Sequence, residues 1–368
     1  MRILMLLTNP FVYDSRVYNE AKSLIDVGYQ VSLIAWDRNG QFKEYENKDG
    51  IEVFRVKNNR LMRLVRKKPL QLFIFWQLAY RQAFSQNFDI IHCHDLDTLQ
   101  VGIKLKKALN RSLVYDAHEI YPYLLERDLT RIFKTYFQRI ERIGANWVNQ
   151  LLVADENYEN YFRKIGYRRI LPILNTKRII STTYHPPQNK IFTLVYIGTL
   201  SRSRFLIELV EIVGHLEQVK LILAGLGPIG PLLEQKCKSY HNINFMGVVP
   251  DKEVIPLTQK ANAVVCMINP KDKNNQIASA NKQFEAMVAG RPIIATERTR
   301  VGEITEQERC GLVINFSKAA LEAAIIKLRD NPQLCEQLGR NALRAALNKY
   351  NWEKESKKLL TIYASLSK

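Results

Sequence analysis

Strand-length apolar runs alternate with helical patterns along most of this 368-residue chain. One series runs from "RILMLLT" to "RRILPIL", and a second begins with "FTLVYIG" and ends with "CGLVINF". Such alternation predicts parallel sheets covered by helices on both faces. A polar stretch ending in Pro186 and Pro187 separates the two series, and single cores stop growing at about 250–300 residues. We therefore predict an α/β protein with two doubly wound domains facing a cleft, which is the default ligand site.

Composition narrows the class of protein. The first apolar run is broken at once by Thr-Asn-Pro, so it predicts a buried strand and not a signal peptide, and no run reaches the ~18 apolar residues of a membrane span. Five scattered cysteines indicate buried thiols in a reducing cytoplasm. They form neither a disulfide framework nor a zinc motif.

The formal net charge of +18 predicts anionic partners. Both halves are basic, with 29 Lys/Arg against 19 Asp/Glu in residues 1–185 and 25 against 17 in the remainder. Residues 53–88 contain no acid, and residues 55–84 join basic side chains to an apolar, aromatic helix that starts at Pro69. This pattern is typical of an interfacial segment, so we expect peripheral attachment to an anionic membrane surface; the alternative is that residues 70–84 pack in the core. We expect no nucleic-acid partner, because no nucleic-acid motif accompanies the charge.

Polar residues follow several strands of the first series, at the strand ends where such domains bind ligands. The acid after the first strand has two interpretations, a helix cap or a functional group. In "YDAHEIYP", His118 could act near neutral pH as a hydrogen-bond donor or a proton shuttle. A metal is not expected, because no further ligand cluster accompanies the histidines of "HCHDLDTL". Besides His118, the candidates on the acceptor side are Asp14, Arg16, His94, Asp95 and Glu119.

The second series carries two phosphate-binding signals. After Gly198, the arginines Arg202 and Arg204 stand next to a helix N-terminus, where they can cooperate with the helix dipole in binding a phosphate. The next strand ends in a Gly-x-Gly-x-x-Gly pattern at Gly225, Gly227 and Gly230. No acid follows about 20 residues later, as an NAD site requires, so the pattern predicts a tight turn under a nucleotide.

The stretch "ANKQFEAMVAGRPIIAT" predicts a helix, a glycine stop and a buried strand. Lys282 and Glu285 lie off the apolar stripe of that helix. As an exposed pair they would contribute only about 0.2–0.5 kcal/mol. The first turn of this helix should point towards the ligand, however, where the carboxylate can accept both ribose hydroxyls and the lysine can meet a diphosphate.

Together with "DSRVYNEAKSLIDVGYQV" and the closing "YNWEKESKKLL", these segments resemble the retaining glycosyltransferases of family 4, which have the GT-B fold. The resemblance covers nearly the whole chain. It implies an acceptor-binding Rossmann-like domain over residues 1–178, a donor-binding one over 179–349, and a last helix over 350–368 that crosses back to the first. It further implies that Glu285 binds the donor ribose, that Arg204 and Lys282 bind the diphosphate, and that His118 lies beside the transferred sugar.

The family pattern is modified in three places. The glycine-rich loop after the first strand is replaced by "NPFVYD", and two single positions also differ. Ile277 stands where the family has the first glutamate of a pair, and Thr199 stands where it has an arginine, for which we expect Arg202 to compensate. The implied reaction moves a sugar from a nucleoside-diphosphate sugar, a UDP-sugar or GDP-mannose, to a glycan or lipid-linked acceptor in cell-surface polysaccharide or glycolipid assembly. No metal or other cofactor is expected. The alternatives are a sugar-nucleotide epimerase of the same fold, which changes its donor without an acceptor, and a nucleic-acid-binding protein.

Overall fold

A computed structural model describes residues 1–12, 14–57, 68–124 and 131–366. The chain divides into two compact units. Unit 1 comprises Met1–Leu174 with Ser356–Lys368, and unit 2 comprises Asn175–Glu355. Each unit is a largely parallel sheet covered by helices, and the last helix returns to the unit in which the chain begins. The predicted fold class is confirmed.

In the described part of unit 1, eight strands form a sheet in the order β3-β4-β2-β1-β5-β6-β7-β8. Every neighbouring pair is parallel except β3 with β4. The central strands are buried along almost their whole length, as a sheet covered on both faces requires. The strands are β1 Arg2–Leu7, β2 Gln30–Asp37, β3 Tyr45–Lys48, β4 Ile51–Lys57, β5 Ile90–His94, β6 Ser112–Ala117, β7 Gln150–Val153 and β8 Ile170–Pro172.

In unit 2, six described strands form a sheet in the order β11-β10-β9-β12-β13-β14, in which neighbouring strands are parallel. These strands match the six apolar runs of the second series. They are β9 Phe192–Ile197, β10 Val219–Ala224, β11 Ile243–Gly247, β12 Ala263–Cys266, β13 Ile293–Thr296 and β14 Gly311–Ile314.

Helices connect the strands of both sheets. The described α-helices before β9 are α1 Ser15–Asp26, α2 Lys68–Phe84, α3 Leu96–Leu109, α4 Tyr121–Leu124, α5 Arg131–Gly144 and α6 Glu159–Lys164. Those that follow are α7 Leu206–His215, α8 Gly230–Cys237, α9 Asp251–Lys260, α10 Lys273–Ile277, α11 Asn281–Ala289, α12 Arg300–Gln307, α13 Lys318–Asp330, α14 Pro332–Asn348 and α15 Trp352–Leu366. Two single turns of 3₁₀ helix cover Glu156–Tyr158 and Arg202–Arg204.

Strand order fixes where each unit offers a ligand site. In unit 1 the order reverses between β1 and β5, and in unit 2 it reverses between β9 and β12. At such a switch point the connecting helices leave towards opposite faces, so a crevice opens at the carboxyl ends of the two strands. The residues after β1, β5, β9 and β12 are therefore the first to examine for function.

Helix α2 packs into the core of unit 1. Phe75 and Trp76 are buried, the ring of Phe75 stacks on Trp36 at 4.9 Å, and Trp76 Nε1 donates to the Asp97 carbonyl over 2.5 Å. At the base of the preceding segment, Arg55 is also buried, so it does not face solvent. The core alternative therefore describes the buried face of this helix, and membrane contact by residues 55–84 stays a prediction. Residues 58–67 of that segment lie outside the described residues. Among the described helices, none has the combined length and apolar character needed to cross a membrane.

Candidate functional site

The carboxyl ends of β5 and β6 in unit 1 hold a cluster of charged side chains around His118. His118 Nε2 donates to Asp116 Oδ2 over 2.8 Å, and Nδ1 lies 3.3 Å from Asp95 Oδ2. The backbone N–H of His118 donates to Asp95 Oδ1 over 3.0 Å. Because both ring nitrogens face carboxylates, both are placed to carry a proton, and the ring is an imidazolium.

This geometry sets the charge of the cluster. Burial by itself would lower the pKa of His118, but the charges of Asp95 and Asp116 outweigh it and raise the pKa to about 10. For Asp116, burial raises the pKa, whereas the charges of Arg16 and His118 lower it and hold it well below its usual range. Of the two roles that the sequence leaves open for His118, this charge favours the hydrogen-bond donor over the proton shuttle. His118 is a standing cation that can donate hydrogen bonds.

Arg16 lies behind the cluster and does not face a ligand. Its guanidinium donates to both oxygens of Asp116, over 2.8 and 2.6 Å, and to the Ile173 carbonyl over 2.6 Å. Its Nε also lies 3.2 Å from Glu20 Oε1, and the side chain is 3% exposed. Arg16 is too buried to touch an acceptor directly in this structure, so a part on the acceptor side can only be indirect, through Asp116. Its role here is to fix the charge and position of Asp116.

His94 is fully buried as well. Its Nδ1 lies 3.2 Å from Asp116 Oδ2 and 3.2 Å from His118 Nε2, and its ring stacks on His92 with centroids 4.2 Å apart. With no exposed side-chain surface, His94 cannot touch an acceptor in this structure, so that prediction is also corrected. His94 lies on the buried side of His118 and contacts it there.

Two residues of this cluster escaped sequence reasoning. Glu20 is fully buried on α1, four residues after Arg16, and that spacing is the signal that could have found it. Burial and the charge of Asp116 raise the pKa of Glu20 to about 8, against the opposing effect of Arg16. Tyr363 of α15 reaches His92 Nδ1 with its hydroxyl at 2.5 Å. No local sequence pattern predicts that contact, because the two residues are 271 positions apart and come together only in the tertiary fold.

Ligand-type atoms of Glu20, His92, His94 and Asp116 lie within 4.8 Å of one another, close enough to hold a metal ion. The set nevertheless does not fit one. Both oxygens of Asp116 already accept hydrogen bonds from Arg16, and one also accepts from His118. The guanidinium 3.2 Å from Glu20 is a cation already in place, and a second cation beside it would be repelled.

Two acceptor-side candidates remain close to the surface of this cluster. Asp95 has φ 61° and ψ 165°, a region that only glycine adopts readily, so its backbone is strained. Its N–H donates to the Asp116 carbonyl over 2.8 Å, and this bond with the His118 contacts holds it there. Its side chain is 30% exposed. Glu119 is half-buried directly after His118. Both can be reached by a ligand.

Asp14 caps helix α1. Its carboxylate accepts from the N–H of Val17 over 3.1 Å and from the side-chain amide of Asn9 over 2.8 Å. This is the capping alternative that the sequence leaves open. The side chain is half-buried, so capping does not prevent it from meeting a ligand.

In unit 2, the loops after β9 and β10 touch through their backbones. A Cβ atom on Gly225 would lie 1.7 Å from the Gly198 carbonyl oxygen, and one on Gly227 would lie 2.2 Å from the Leu200 oxygen. Gly198 and Gly225 also have φ values of 147° and 141°. At Gly230, by contrast, a Cβ would meet Leu200 Cδ1 at an ordinary 3.6 Å. The first two glycines of the motif therefore build a tight double loop, and the third is not required by packing.

Lys282 and Glu285 turn to different partners. Lys282 Nζ lies 4.4 Å from the centroid of the Tyr196 ring, and a Cβ on Gly198 would come within 2.8 Å of it. Glu285 Oε1 lies 3.2 Å from Lys177 Nζ, and these two side chains are only 12% and 13% exposed. Sequence reasoning missed Lys177, which follows β8 and is far from α11 in the chain. Neither residue of the helix is a freely exposed surface charge.

Three charged residues of unit 2 influence the thiol of Cys266, the last residue of β12. Burial raises the pKa of the Cys266 thiol, while the charges of Lys282 and Arg204 lower it and that of Glu285 raises it. Arg204 is half-buried in the 3₁₀ turn before α7, and Arg202 of the same turn is exposed. Arg204 follows β9, and Lys282 and Glu285 lie on the helix that precedes β13, so two cations and a carboxylate belong to elements around the switch point, where they can bind a diphosphate and a ribose.

An exposed apolar surface borders this edge. Leu226 is 76% exposed and Val248 53%, and Met246 is also exposed. These residues flank the hydrogen bond from Gly225 N to Gly247 O, 2.7 Å long, which joins the loops after β10 and β11. Exposed apolar side chains grouped at a ligand edge indicate a binding surface for a flat group.

Two doubly wound α/β units in one chain are the architecture of the GT-B glycosyltransferases. Comparison with known proteins agrees. The family model described as Glycosyltransferase Family 4 matches residues 15–175, and that described as Glycosyl transferases group 1 matches residues 191–331. The chain belongs to this group of family 4 glycosyltransferases, and it is an enzyme that transfers a glycosyl group.

Curated relatives match along nearly the whole chain. An uncharacterized glycosyltransferase of Methanocaldococcus jannaschii is 22% identical over 93% of this chain and 91% of its own length. The D-inositol 3-phosphate glycosyltransferase of Corynebacterium urealyticum is 22% identical over 95% of this chain and 89% of its own.

Solved structures share the fold. Sucrose-phosphate synthase of Thermosynechococcus elongatus superposes with a TM-score of 0.82 at 17% identity, covering 100% of this chain and 99% of that one. HepE of Anabaena, in complex with UDP-glucose, has a TM-score of 0.74 at 18% identity, covering 99% of this chain and 100% of its own. At these identities the likeness concerns the fold alone.

Proposed function

We propose that this enzyme transfers a sugar from a UDP-sugar to a glycan or lipid-linked acceptor, with retention of anomeric configuration. The observation that carries the proposal is the placement of Lys282 against Gly198 in the glycine loop after β9, with Glu285 on the same helix and Arg204 in the 3₁₀ turn that follows the loop. The complex of HepE with UDP-glucose, a protein of the same fold, supports uridine as the base. The expected setting is cell-surface polysaccharide or glycolipid assembly.

The donor-binding roles follow from charge and exposure. Arg204 and Lys282 would offset the charge that develops on the leaving diphosphate, and fixed cations do so without reorganising during the reaction. Glu285 would accept the two ribose hydroxyls, with Lys177 holding its carboxylate in place. Arg202 would supply the cation that Thr199 lacks. The apolar surface of Leu226, Met246 and Val248 would support the base.

We assign His118 to the sugar-transfer step as a hydrogen-bond donor. Because Asp95 and Asp116 keep its ring protonated, it can stabilise developing negative charge but cannot act as a general base. The proton of the acceptor hydroxyl would instead pass to an oxygen of the leaving diphosphate on the same face of the sugar, so no side chain needs to act as a nucleophile. Asp14, Asp95 and Glu119 would contact the acceptor.

The first test is binding of nucleotides to the purified enzyme. Thermal unfolding would be followed with UDP, GDP, ADP and NAD, for wild type and Glu285→Ala. A ligand at a hundred times its dissociation constant stabilises the folded state by about 2.7 kcal/mol, so the shift is easily seen. We expect UDP to raise the melting temperature of the wild type and to lose this effect in Glu285→Ala.

Glu322→Ala, which removes an exposed acid on α13, is the matched control and should respond to UDP like the wild type. A response to UDP that is equal in Glu285→Ala and wild type would refute the donor site. A response to GDP alone would reassign the base, and a response to NAD alone would refute the glycosyltransferase donor altogether.

Retention of anomeric configuration is tested on the reaction product. We expect the anomeric proton of the product to show the same configuration as the donor by ¹H NMR, and turnover to continue in EDTA because the leaving group is stabilised by side chains. Inversion at the anomeric carbon would overturn the mechanism. Conversion of the donor sugar without any acceptor would instead identify an epimerase.

A further inference from the structure

Tyr363 brings the last helix of the chain into contact with the histidine cluster of unit 1. Its hydroxyl lies 2.5 Å from His92 Nδ1, and both side chains are fully buried. The phenol ring lies 6.1 Å from the imidazole ring of His92, centroid to centroid. Because neither group is open to water, this hydrogen bond fixes the orientation of the imidazole.

This hydrogen bond is the main polar anchor of His92. The other ring nitrogen, Nε2, is buried with no hydrogen-bond partner among the described residues, and Glu20 Oε2 lies 3.6 Å from it, beyond hydrogen-bond range. Burial lowers the pKa of His92 well below its usual range, so the ring is neutral and one nitrogen carries the proton. The Tyr363 hydroxyl therefore fixes the orientation of this ring, and it can hydrogen-bond to Nδ1 in either tautomer, as donor or as acceptor.

The orientation of His92 influences His94 and His118 through direct contacts. The His92 ring stacks on His94 at 4.2 Å, with 27° between the ring planes. His94 Nδ1 in turn shares Asp116 Oδ2 with His118 Nε2. A change in the His92 ring must move or re-protonate its stacked neighbour, because a packed interior leaves no room for independent rotation.

We propose that Tyr363 is a positioning residue for the transfer reaction: the last helix holds His92, and through the stacked pair it holds the Asp116–His118 couple in its working geometry. This proposal rests on the role assigned to His118 in the proposed function. It gives the C-terminal helix a part in the chemistry in addition to its part in the fold. Tyr363 itself is buried and touches no substrate.

The test compares Tyr363→Phe with Tyr167→Phe. Tyr167 is also a buried tyrosine of unit 1, and its hydroxyl donates to the Glu141 carbonyl over 2.8 Å, so both variants lose one buried hydrogen bond. With the UDP-sugar and acceptor in hand, we expect kcat of Tyr363→Phe to fall by about tenfold with little change in the donor KM, since one hydrogen bond held only for positioning is lost. Tyr167→Phe should keep the wild-type kcat.

A second readout does not depend on turnover. The protein has six histidines, so ¹⁵N spectra of histidine-labelled enzyme can resolve the ring nitrogens. We expect the His92 and His94 signals to report one tautomer each in wild type and Tyr167→Phe, and to shift in Tyr363→Phe. Unchanged His92 and His94 signals, or equal kcat values in the two variants, would overturn the proposal. Shifted signals in a protein that transfers no sugar would refute the proposed function and leave the link between helix and histidines standing.

Discussion

His118 is a standing cation in the charged cluster of unit 1. Its pKa is about 10 in the folded protein, whereas an unperturbed histidine has a pKa near 6.5. Between these values the folded protein keeps a proton that the unfolded chain has lost. The stabilisation is therefore complete below about pH 6.5 and is lost as pH rises towards 10, by at most about 1.4 kcal/mol per pH unit.

We predict that the free energy of unfolding of the wild type falls more steeply between pH 8 and 9.5 than that of His118→Gln. This window lies above the pKa values of Glu20, about 8, and of Asp95 and Glu141, about 7 each, which are buried acids whose retained protons give a slope of the same sign at lower pH. Urea unfolding can be followed by fluorescence, since three of the four tryptophans lie in unit 1. His241→Gln, at an exposed site in unit 2, should keep the wild-type slope. Parallel pH curves for wild type and His118→Gln would show that His118 is not a standing cation.

Lys177 presents a different residue-scale prediction. Removing its charge in Lys177→Met leaves the carboxylate of Glu285 without the ion pair at 3.2 Å, and an unanchored carboxylate should bind the ribose less well. We expect the donor KM to rise roughly tenfold with a small change in kcat, the pattern for an interaction made equally in the ground and transition states. Initial rates at varied donor concentration measure this. Lys190→Met, an exposed site in the same unit, serves as the control; equal KM values in the two variants would remove Lys177 from the donor site.

These residues also mark how far a sequence can be interpreted. Asp116 and His118 could be found because they lie at the carboxyl end of a buried strand, and the strand pattern alone places them at the ligand edge. Glu20 and Tyr363 influence the charge and position of this cluster, but neither lies at a strand end, so neither could be recognised in this way. Arg16 and His94 could be found, but not their burial, because that depends on which side chains pack over them.

At the scale of elements, the double loop after β9 and β10 allows a test within one motif. In Gly225→Ala the new Cβ would overlap the Gly198 carbonyl at 1.7 Å, and the backbone φ of 141° disfavours any side chain. In Gly230→Ala the nearest contact is an ordinary 3.6 Å, and the residue begins α8.

We predict that Gly225→Ala destabilises unit 2 by at least about 2 kcal/mol and abolishes the UDP-dependent thermal shift, because strain of this kind cannot relax without moving the loop. Gly230→Ala should change stability by no more than about 1 kcal/mol in either direction. Urea unfolding of both variants measures the two changes in stability. If the two substitutions cost the same, the loop does not depend on backbone contact at Gly225.

The elements of the fold could largely be predicted, for a physical reason. A strand buried on both faces must be apolar along its length, and "RILMLLT" and "FTLVYIG" meet that requirement. Strand β3, Tyr45–Lys48, was missed because it is an antiparallel edge strand with polar and exposed side chains. Helix α2 was interpreted as interfacial because an apolar helix looks the same in sequence whether lipid or protein covers it.

At the scale of the whole molecule, the chain leaves unit 1 after Leu174 and returns to it at Ser356. Local patterns could predict α15 as a helix, but only tertiary contacts determine which unit it joins. Leu359 and Tyr363 are fully buried, so the returning segment is part of the core of unit 1. Because Tyr363 hydrogen-bonds to His92, the geometry of the histidine cluster depends on the return of the chain to unit 1.

The net charge of +18 is the other property of the whole molecule, and it belongs to both halves of the chain. We predict that the enzyme binds vesicles of about 30% phosphatidylglycerol and 70% phosphatidylcholine in about 50 mM NaCl and is released by about 500 mM NaCl, because an attraction spread over many surface charges is screened as the Debye length shortens. Sedimentation with the vesicles measures the bound fraction, and vesicles of phosphatidylcholine alone are the lipid control.

Helix α2 supplies the matched variants for this experiment. Leu70 and Phe84 are the exposed apolar residues at its two ends, while its buried face packs in the core. If charge alone drives binding, Leu70→Gln and Phe84→Gln should bind the anionic vesicles like the wild type at each salt concentration. Binding that survives the higher salt concentration and is lost in these variants would instead show insertion of apolar side chains into the bilayer. That result would establish α2 as a membrane contact and would favour a lipid-linked acceptor over a free glycan.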